Sequence, residues 1–326
     1  AKNTALGFGA GTALTTSDNN VAIGYNALYQ GTTESDDNVA IGYNAMSGAI
    51  GTEQVNDCVA IGSGALAGAL DSTDGADEAS GTVAIGKSAG AALTEGAGNT
   101  FVGYNSGTAI TIGNYNTSFG NGALLGSVDG DFNTAIGYQA LEDYEGADGS
   151  GKNTAVGYQA GKTISTGASI VAIGSGAMSS GVTTANEIVA IGEGAAAVLT
   201  SGGQNIAIGR GAMDEHTTGS NNIAIGVNAM TATQAAGTQT TSAGSGNNIF
   251  IGRNSGGGDW ANDATSENIG IGNYAMDAAL NNSIRNVAIG HQALSAQTSG
   301  RNNTCVGYQA GDVIQTGSRN TLIGTG

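Results

Sequence analysis

Short stretches that alternate bulky apolar, small and bulky apolar residues, and then end in glycine, recur along the whole chain. A representative copy is Asn20-Val21-Ala22-Ile23-Gly24. There are eighteen copies with a base period of 17 residues, and the spacing is longer where residues are inserted. A repeat of this length is typical of a solenoid or array. Positions are numbered here from the repeat glycine, which is Gly7, Gly24, Gly42, Gly62, Gly86, Gly103, Gly120, Gly137, Gly157, Gly174, Gly192, Gly209, Gly226, Gly252, Gly272, Gly290, Gly307 and Gly324.

The residues before the glycine predict a strand with two different faces. Position −3 is always Val, Ile or Thr, whose branched side chains favour strands, and position −1 is always apolar. Position −2 is usually Ala. Because neighbouring strand residues point to opposite faces, we expect the bulky pair to fill the coil interior and the alanines to form a smooth outer strip. An uncharged strip predicts contact with another copy of the chain, and its representative members are Ala22, Ala40, Ala60, Ala135, Ala155 and Ala172.

Position −4 predicts a column of asparagines. Asn occupies it in fourteen of the eighteen copies, and Cys58, Thr82, Ile170 and Ile188 interrupt the series. Asn side chains readily bond to nearby backbone groups. Stacked in register, they predict a structural ladder whose representative members are Asn20, Asn38, Asn133, Asn153, Asn222 and Asn303.

A volume exchange after the glycine indicates a packed interior. Position +4 is Leu or Met in ten copies, and where it shrinks, position +7 is usually large, as in Leu93 and Ile164. Closely packed interiors require such compensation. Together with a second strand expected near positions +3 to +8, the pattern predicts an all-β fold: a parallel β-solenoid of about 18 coils forming one array over residues 1–326. Both ends fall inside repeats, which predicts a segment of a longer chain without caps of its own.

Composition narrows the classes of partner. The chain has 58 glycines, no proline and a formal net charge of −17. A strongly acidic surface argues against nucleic acid, and no apolar run is long enough for a membrane helix. We therefore expect no nucleic-acid partner and no membrane insertion in this segment. Separately, the absence of proline fits the predicted strands, because all of them need their N–H groups for hydrogen bonding.

Candidate chemistry is sparse. No nucleophile, histidine and acid recur together in register, so we expect no enzymatic activity and no cofactor. The two histidines, His216 and His291, are expected on the surface. The carboxylates Asp71, Asp74, Asp77 and Glu78 have a spacing compatible with Ca²⁺, although they lack the EF-hand pattern.

Two features could meet a receptor. Loops on a rigid scaffold commonly carry binding, so the predicted contacts are the insertion from Asp71 to Glu78, which holds those four carboxylates, and the stretch from Thr231 to Trp260. Trp260 is alternatively a core residue that fills space in a coil with Gly256 at position +4. Tyrosines also recur at position +1, where they either contact a partner or sugar or, as we favour, cover the turn: Tyr25, Tyr43, Tyr104, Tyr138, Tyr158 and Tyr308.

The repeat resembles that of known attachment proteins. Asn-x-Val-Ala-Ile-Gly stretches are similar to the head domains of trimeric autotransporter adhesins of the Yersinia-adhesin type, and Asn133–Ala140 and Asn153–Ala160 resemble repeats of tailed-phage tail fibres. The resemblance covers essentially the whole chain. It implies a left-handed parallel β-roll, three chains side by side, and attachment to a surface.

Three functions follow as hypotheses. The first is an extracellular fibrous attachment protein, on a virion tail or bacterial cell surface, that binds a cell-surface glycan or protein receptor as a homotrimer. The second is a structural filament or spacer without its own ligand. The third is an ice-binding solenoid, which needs an outward threonine array; we expect the threonines at position −3 to point inward instead.

Overall fold

The chain folds into short parallel strands joined by turns. The computed structural model describes residues 2–30, 35–50, 54–70, 79–147, 149–231, 245–258, 260 and 265–326, and these residues contain eighteen strands and no helix. Each strand has three residues and occupies positions −3 to −1 of one repeat. The predicted all-β, parallel β-solenoid architecture with one coil per repeat is confirmed.

The contacts within the chain group it into two compact units, residues 1–168 and 169–326. The single array over residues 1–326 stays a prediction. The first unit contains β1 Thr4–Leu6, β2 Val21–Ile23, β3 Val39–Ile41, β4 Val59–Ile61, β5 Val83–Ile85, β6 Thr100–Val102, β7 Thr117–Phe119, β8 Thr134–Ile136 and β9 Thr154–Val156. The second contains β10 Val171–Ile173, β11 Val189–Ile191, β12 Ile206–Ile208, β13 Ile223–Ile225, β14 Ile249–Ile251, β15 Ile269–Ile271, β16 Val287–Ile289, β17 Thr304–Val306 and β18 Thr321–Ile323.

Within each unit, every strand pairs in parallel with the next one along the chain. The register joins equivalent positions, as in Ala190 with Ala207 and Ile191 with Ile208. Backbone hydrogen bonds join β3 and β4 at both ends of the pair. The Val39 N–H donates to the Cys58 oxygen, and the Gly62 N–H donates to the Ile41 oxygen, both at 2.8 Å. A one-residue slip would reverse the faces of a strand, so this exact register keeps each column chemically uniform.

The repeat glycine is required by backbone geometry. Gly42 has a φ of +139°, which side-chain-bearing residues rarely adopt, and a Cβ there would lie 2.5 Å from the carbonyl oxygen of Gly62 in the next coil. Within each unit, the repeat glycines that are followed by another coil show the same conformation and the same close neighbour. Only glycine allows successive coils to approach this closely.

The interior of each coil holds the small strand residue, which corrects the predicted faces. Ala22, Ala40, Ala60, Ala135, Ala155 and Ala172 are all completely buried within a single chain. The flanking residues at positions −3 and −1 point outward instead. The physical reason is space: the coil is narrow, and where the side chains at positions +3, +4 and +7 fill it from the opposite wall, the strand has room for only a methyl group.

That opposite wall is a series of turns, so the predicted second strand is wrong. Position +4 has a left-handed backbone even where it is not glycine, with φ of +48° at both Leu28 and Met46. The turns still stack, because the Met46 N–H donates to the Ala65 oxygen at 2.8 Å. Leu and Met at this position are fully buried, and their burial offsets the cost of an unusual conformation.

The predicted volume exchange between positions +4 and +7 is confirmed in the interior. Leu93, Ile110, Ile164 and Leu199 are completely buried in coils with a small residue at position +4. A second exchange involves the strand: Phe101 replaces the usual Ala, and a Cβ on Gly107 would lie 2.5 Å from its Cδ1.

The same exchange occurs around Phe250, where Gly256 supplies the space. Trp260 is completely buried there and packs edge-on against Phe250 with ring centroids 5.7 Å apart. Its indole N–H donates to the Gly256 oxygen at 3.1 Å. Trp260 is therefore a core residue, and its prediction as a receptor contact is wrong.

Candidate interaction surfaces

One apolar surface, which we call the outward strip, consists of the residues at positions −3 and −1 of successive coils. In the inner strands these residues are half-buried or exposed, and Ile136 keeps 39% of its surface accessible. All of them are Val, Ile, Thr, Leu or Phe, and none is charged. Parallel strands lie about 4.8 Å apart, so nine coils carry this strip over roughly 40 Å in each unit. A contiguous apolar band of this length on an acidic protein indicates an interaction surface.

The strip replaces the predicted alanine strip as the candidate interface. The strand has two uncharged faces, and the face that was predicted to fill the interior is the outer one. Solvent-facing strands normally carry polar residues on the outer face. The outward strip departs from that rule in every coil, whereas the alanines need no partner because they are already buried inside the chain.

Threonine forms part of the strip, contrary to the expectation that it points inward. Thr100, Thr117, Thr134 and Thr154 lie on the outer face of β6 to β9. The neighbouring column at position −1 contains Phe119, which projects with 58% of its surface exposed. That bulky ring interrupts the flat, regular array an ice-binding face needs.

The asparagine ladder is confirmed and is a structural element. In a typical step, the Asn116 Oδ1 accepts from the Asn133 N–H at 2.9 Å, and the Asn116 Nδ2 donates to the Gly130 oxygen at 2.8 Å. Each side chain therefore clamps an N–H and a carbonyl of the following coil. The side chains of Asn20, Asn38, Asn133, Asn153, Asn222 and Asn303 are all buried and hydrogen-bonded to backbone groups.

Where the ladder is interrupted by Cys58, sulfur takes over part of the role. The Cys58 thiol lies 3.1 Å from the Ala79 oxygen. Burial raises the pKa of this thiol to about 11, so it stays protonated and unreactive at neutral pH. Cys305 is also buried, as predicted.

Exposed rings at position +1 form short stacks. Phe8, Tyr25 and Tyr43 are nearly parallel, with centroids 5.4 and 5.3 Å apart. Tyr138 stacks on Tyr158 at 5.5 Å. His291 stacks on Tyr308 at 5.5 Å, so this histidine is on the surface as predicted.

Tyr104 makes a cation–π contact instead of stacking on another ring. The Lys87 ammonium lies over its ring, 5.7 Å from the centroid. The next coil carries Asn121 at position +1 in place of an aromatic residue, and Tyr138 follows in the coil after that. Asn121 is exposed.

His216 is completely buried, so its predicted surface location is wrong. It occupies position +7 of its coil, a core position, and its Nε2 lies 3.4 Å from the Asn222 Nδ2. Burial lowers the pKa of His216 to about 4. The signal was available in the sequence, because position +7 holds buried Leu or Ile in other coils.

The predicted acidic loop cannot be placed. Asp71, Asp74, Asp77 and Glu78 lie outside the described residues, so their roles in receptor contact and Ca²⁺ binding stay predictions. Within the described part of the chain, no three His, Cys, Asp or Glu side chains are grouped as a metal site would require. That part also has no helix able to cross a bilayer.

Comparison with known proteins adds no relative. No protein-family model matches the chain, and no curated protein matches it.

Proposed function

We propose that the chain is a rigid segment of an extracellular attachment fibre, carried on a virion tail or bacterial surface, in which three copies associate through the outward strip. The observation that carries the proposal is the strip itself: uncharged Val, Ile, Thr, Leu and Phe residues occupy both of its positions in every coil. Exposed apolar area costs about 25 cal/mol per Å², so covering the strip would stabilise an assembly. The number three and the attachment role come from the resemblance of the repeat.

The stacked coils support the mechanical half of the proposal. In each unit, every inner strand is hydrogen-bonded on both sides, and the asparagine ladder adds a second set of bonds between successive coils. A net charge of −17 keeps such a surface soluble outside the strip. Fibres need this combination of stiffness along the axis and solubility around it.

Light scattering of the purified protein tests the assembly. We expect three times the chain mass of 31.7 kDa. Ile173→Glu places a carboxylate on the strip, whereas Ser175→Glu places one two residues away on an exposed turn, where the next coil carries Glu193. The first variant should dissociate because burying unpaired charge costs several kcal/mol, and the second should not. A wild-type monomer, or equal masses for both variants, would refute the interface.

Attachment itself is tested by incubating the labelled protein with bacterial envelope fractions and immobilised glycans. Binding that is saturable and lost on dissociation of the trimer supports the attachment role. Stable trimers that bind none of these surfaces would favour the second hypothesis, a filament or spacer without its own ligand.

A further inference from the structure

Between Tyr104 and Tyr138 the stack of rings has a one-residue gap. Both tyrosines occupy position +1, and they keep 48% and 45% of their surfaces exposed. Tyr104 is backed on one side by Lys87 and Tyr138 by Tyr158. The remaining face of each ring is directed toward the coil that carries Asn121. Among the described position +1 residues, this is the place where a single small residue separates two tyrosines.

We infer that this gap, the Tyr104/Tyr138 slot, binds a pyranose sugar held between the two rings. The inference deepens the attachment function proposed above and rests on it for its biological role. Its chemistry depends only on the slot.

The width of the slot suits one six-membered ring. Two coil steps separate the rings, which places them roughly 10 Å apart, since parallel strands are about 4.8 Å apart. The same two-step span between Phe8 and Tyr43 is filled by the flat Tyr25 ring, with centroids 5.4 and 5.3 Å from its neighbours. A chair-shaped pyranose is thicker, because axial hydrogens project from both faces, and it needs about 9 to 10 Å at ordinary carbon–carbon contact distances.

The floor and rim of the slot offer hydrogen-bonding groups. Asn121 lies at the floor with an exposed side-chain amide, and Gly122 beside it adds no bulk. At the rim, the Gln139 amide is held by two bonds: its Oε1 accepts from Gln159 at 2.8 Å and its Nε2 donates to Glu142 at 2.6 Å. Fixed amides and carboxylates suit sugar hydroxyl groups, and little ordering entropy remains to be lost.

The Glu142 carboxylate is itself fixed in place. Its Oε2 lies 3.0 Å from the Lys162 ammonium. Gln139, whose amide donates to this carboxylate, directly follows Tyr138 in the chain. The polar array thus stands directly beside one wall of the slot.

The two-sided contact also restricts the sugar. A β-glucopyranose ring has only equatorial substituents, so both its faces present C–H groups to the rings. A galactopyranose carries an axial hydroxyl that roughens one face. The expected ligand class is therefore an all-equatorial pyranose, such as a terminal β-glucoside or β-N-acetylglucosaminide.

The test uses methyl β-glucopyranoside and methyl β-N-acetylglucosaminide as probes, with methyl β-galactopyranoside as the comparator. Saturation-transfer NMR of the full chain reports binding, and titration gives the affinity. Tyr104→Ala and Tyr138→Ala should each weaken binding about tenfold, the loss expected for one aromatic contact. The matched control is Tyr25→Ala, an exposed ring at the same repeat position in a filled stack, and it should leave binding unchanged.

The decisive variant is Asn121→Tyr, which fills the gap with the residue that other coils carry there. It should extend the ring stack, preserve the fold and abolish probe binding. Retained binding in this variant, equal binding of the galactoside, an equal loss in Tyr25→Ala, or no binding of either probe to the wild type would each overturn the slot.

The same Asn121→Tyr protein separates this inference from the wider proposal. Loss of probe binding with unchanged trimer mass and envelope binding would confine the sugar site to a secondary role. Loss of envelope binding as well would make the slot the point of attachment.

Discussion

A methyl group at a repeat glycine should locally open the solenoid, whereas a methyl group two residues later should not. Gly192 and Gly194 form the matched pair. Both have positive φ, +134° and +63°, so both substitutions by Ala introduce backbone strain. A Cβ on Gly192 would lie 2.5 Å from the Gly209 carbonyl oxygen, whereas a Cβ on Gly194 has no heavy atom within 4 Å apart from its chain neighbours.

The difference between the variants can be estimated from these contacts. Left-handed strain alone costs about 1 to 2 kcal/mol, and Gly194→Ala recovers about 0.4 to 1 kcal/mol through the unfolded state. Gly192→Ala adds an overlap of about 1 Å relative to an ordinary contact of about 3.5 Å. Because the clashing atom is backbone, relief requires separating two coils and weakening the Gly209 N–H bond to Ile191, 2.7 Å long. We expect about 4 kcal/mol for Gly192→Ala and about 1 kcal/mol for Gly194→Ala.

Hydrogen exchange with peptide resolution is the suitable assay, because stacked repeats need not unfold in one step. Amides of residues 189–213 should exchange roughly 150-fold faster in Gly192→Ala than in Gly194→Ala, the factor that about 3 kcal/mol represents. Equal protection in the two variants would show that the close approach of coils does not explain why the repeat position requires glycine.

Two further predictions concern buried polar groups. Asn116→Ala should destabilise its unit by about 3 to 5 kcal/mol, because it leaves the Asn133 N–H and the Gly130 oxygen buried without that partner. The control, Asn121→Ala, removes an exposed side chain and should change the free energy of unfolding by less than about 0.5 kcal/mol. Chemical denaturation of the two variants compares these values. His216 has a folded pKa of about 4, below its unfolded value of about 6.5, so its stabilising contribution is complete above pH 6.5 and is lost as the pH falls toward 4, by about 3 kcal/mol. His216→Leu should flatten the melting temperature across this range, and an unchanged acid dependence would contradict the assignment.

The repeat made the coil architecture predictable from the sequence. Eighteen glycines at matching positions fix which residues stack, and the β-branched residue at position −3 identifies the strand. The asparagine ladder followed for the same reason: a side chain that recurs at one position must meet its own copies. These conclusions needed only the periodicity.

The direction of the faces was not predictable by the rule that large residues lie inside. Both faces of the strand are apolar, so the alternation of residues does not indicate which face is exposed to solvent. The choice depends on the width of the coil, which is set by turns with left-handed Leu28 and Met46. Their sequence gives no hint of that conformation, because Leu and Met rarely adopt it. Predicting a second strand there widened the expected interior and reversed the faces.

The asparagine ladder has a direction, and this direction coincides with that of protein synthesis. The Asn116 side chain binds groups that belong to residues 130 and 133, which leave the ribosome later. Each finished coil thus presents an unfilled clamp to the segment that emerges next. The last folded coil offers the hydrogen-bonding groups that the next coil needs. A chain made from the amino terminus can therefore add coils one by one, without contacts to residues far away in the sequence.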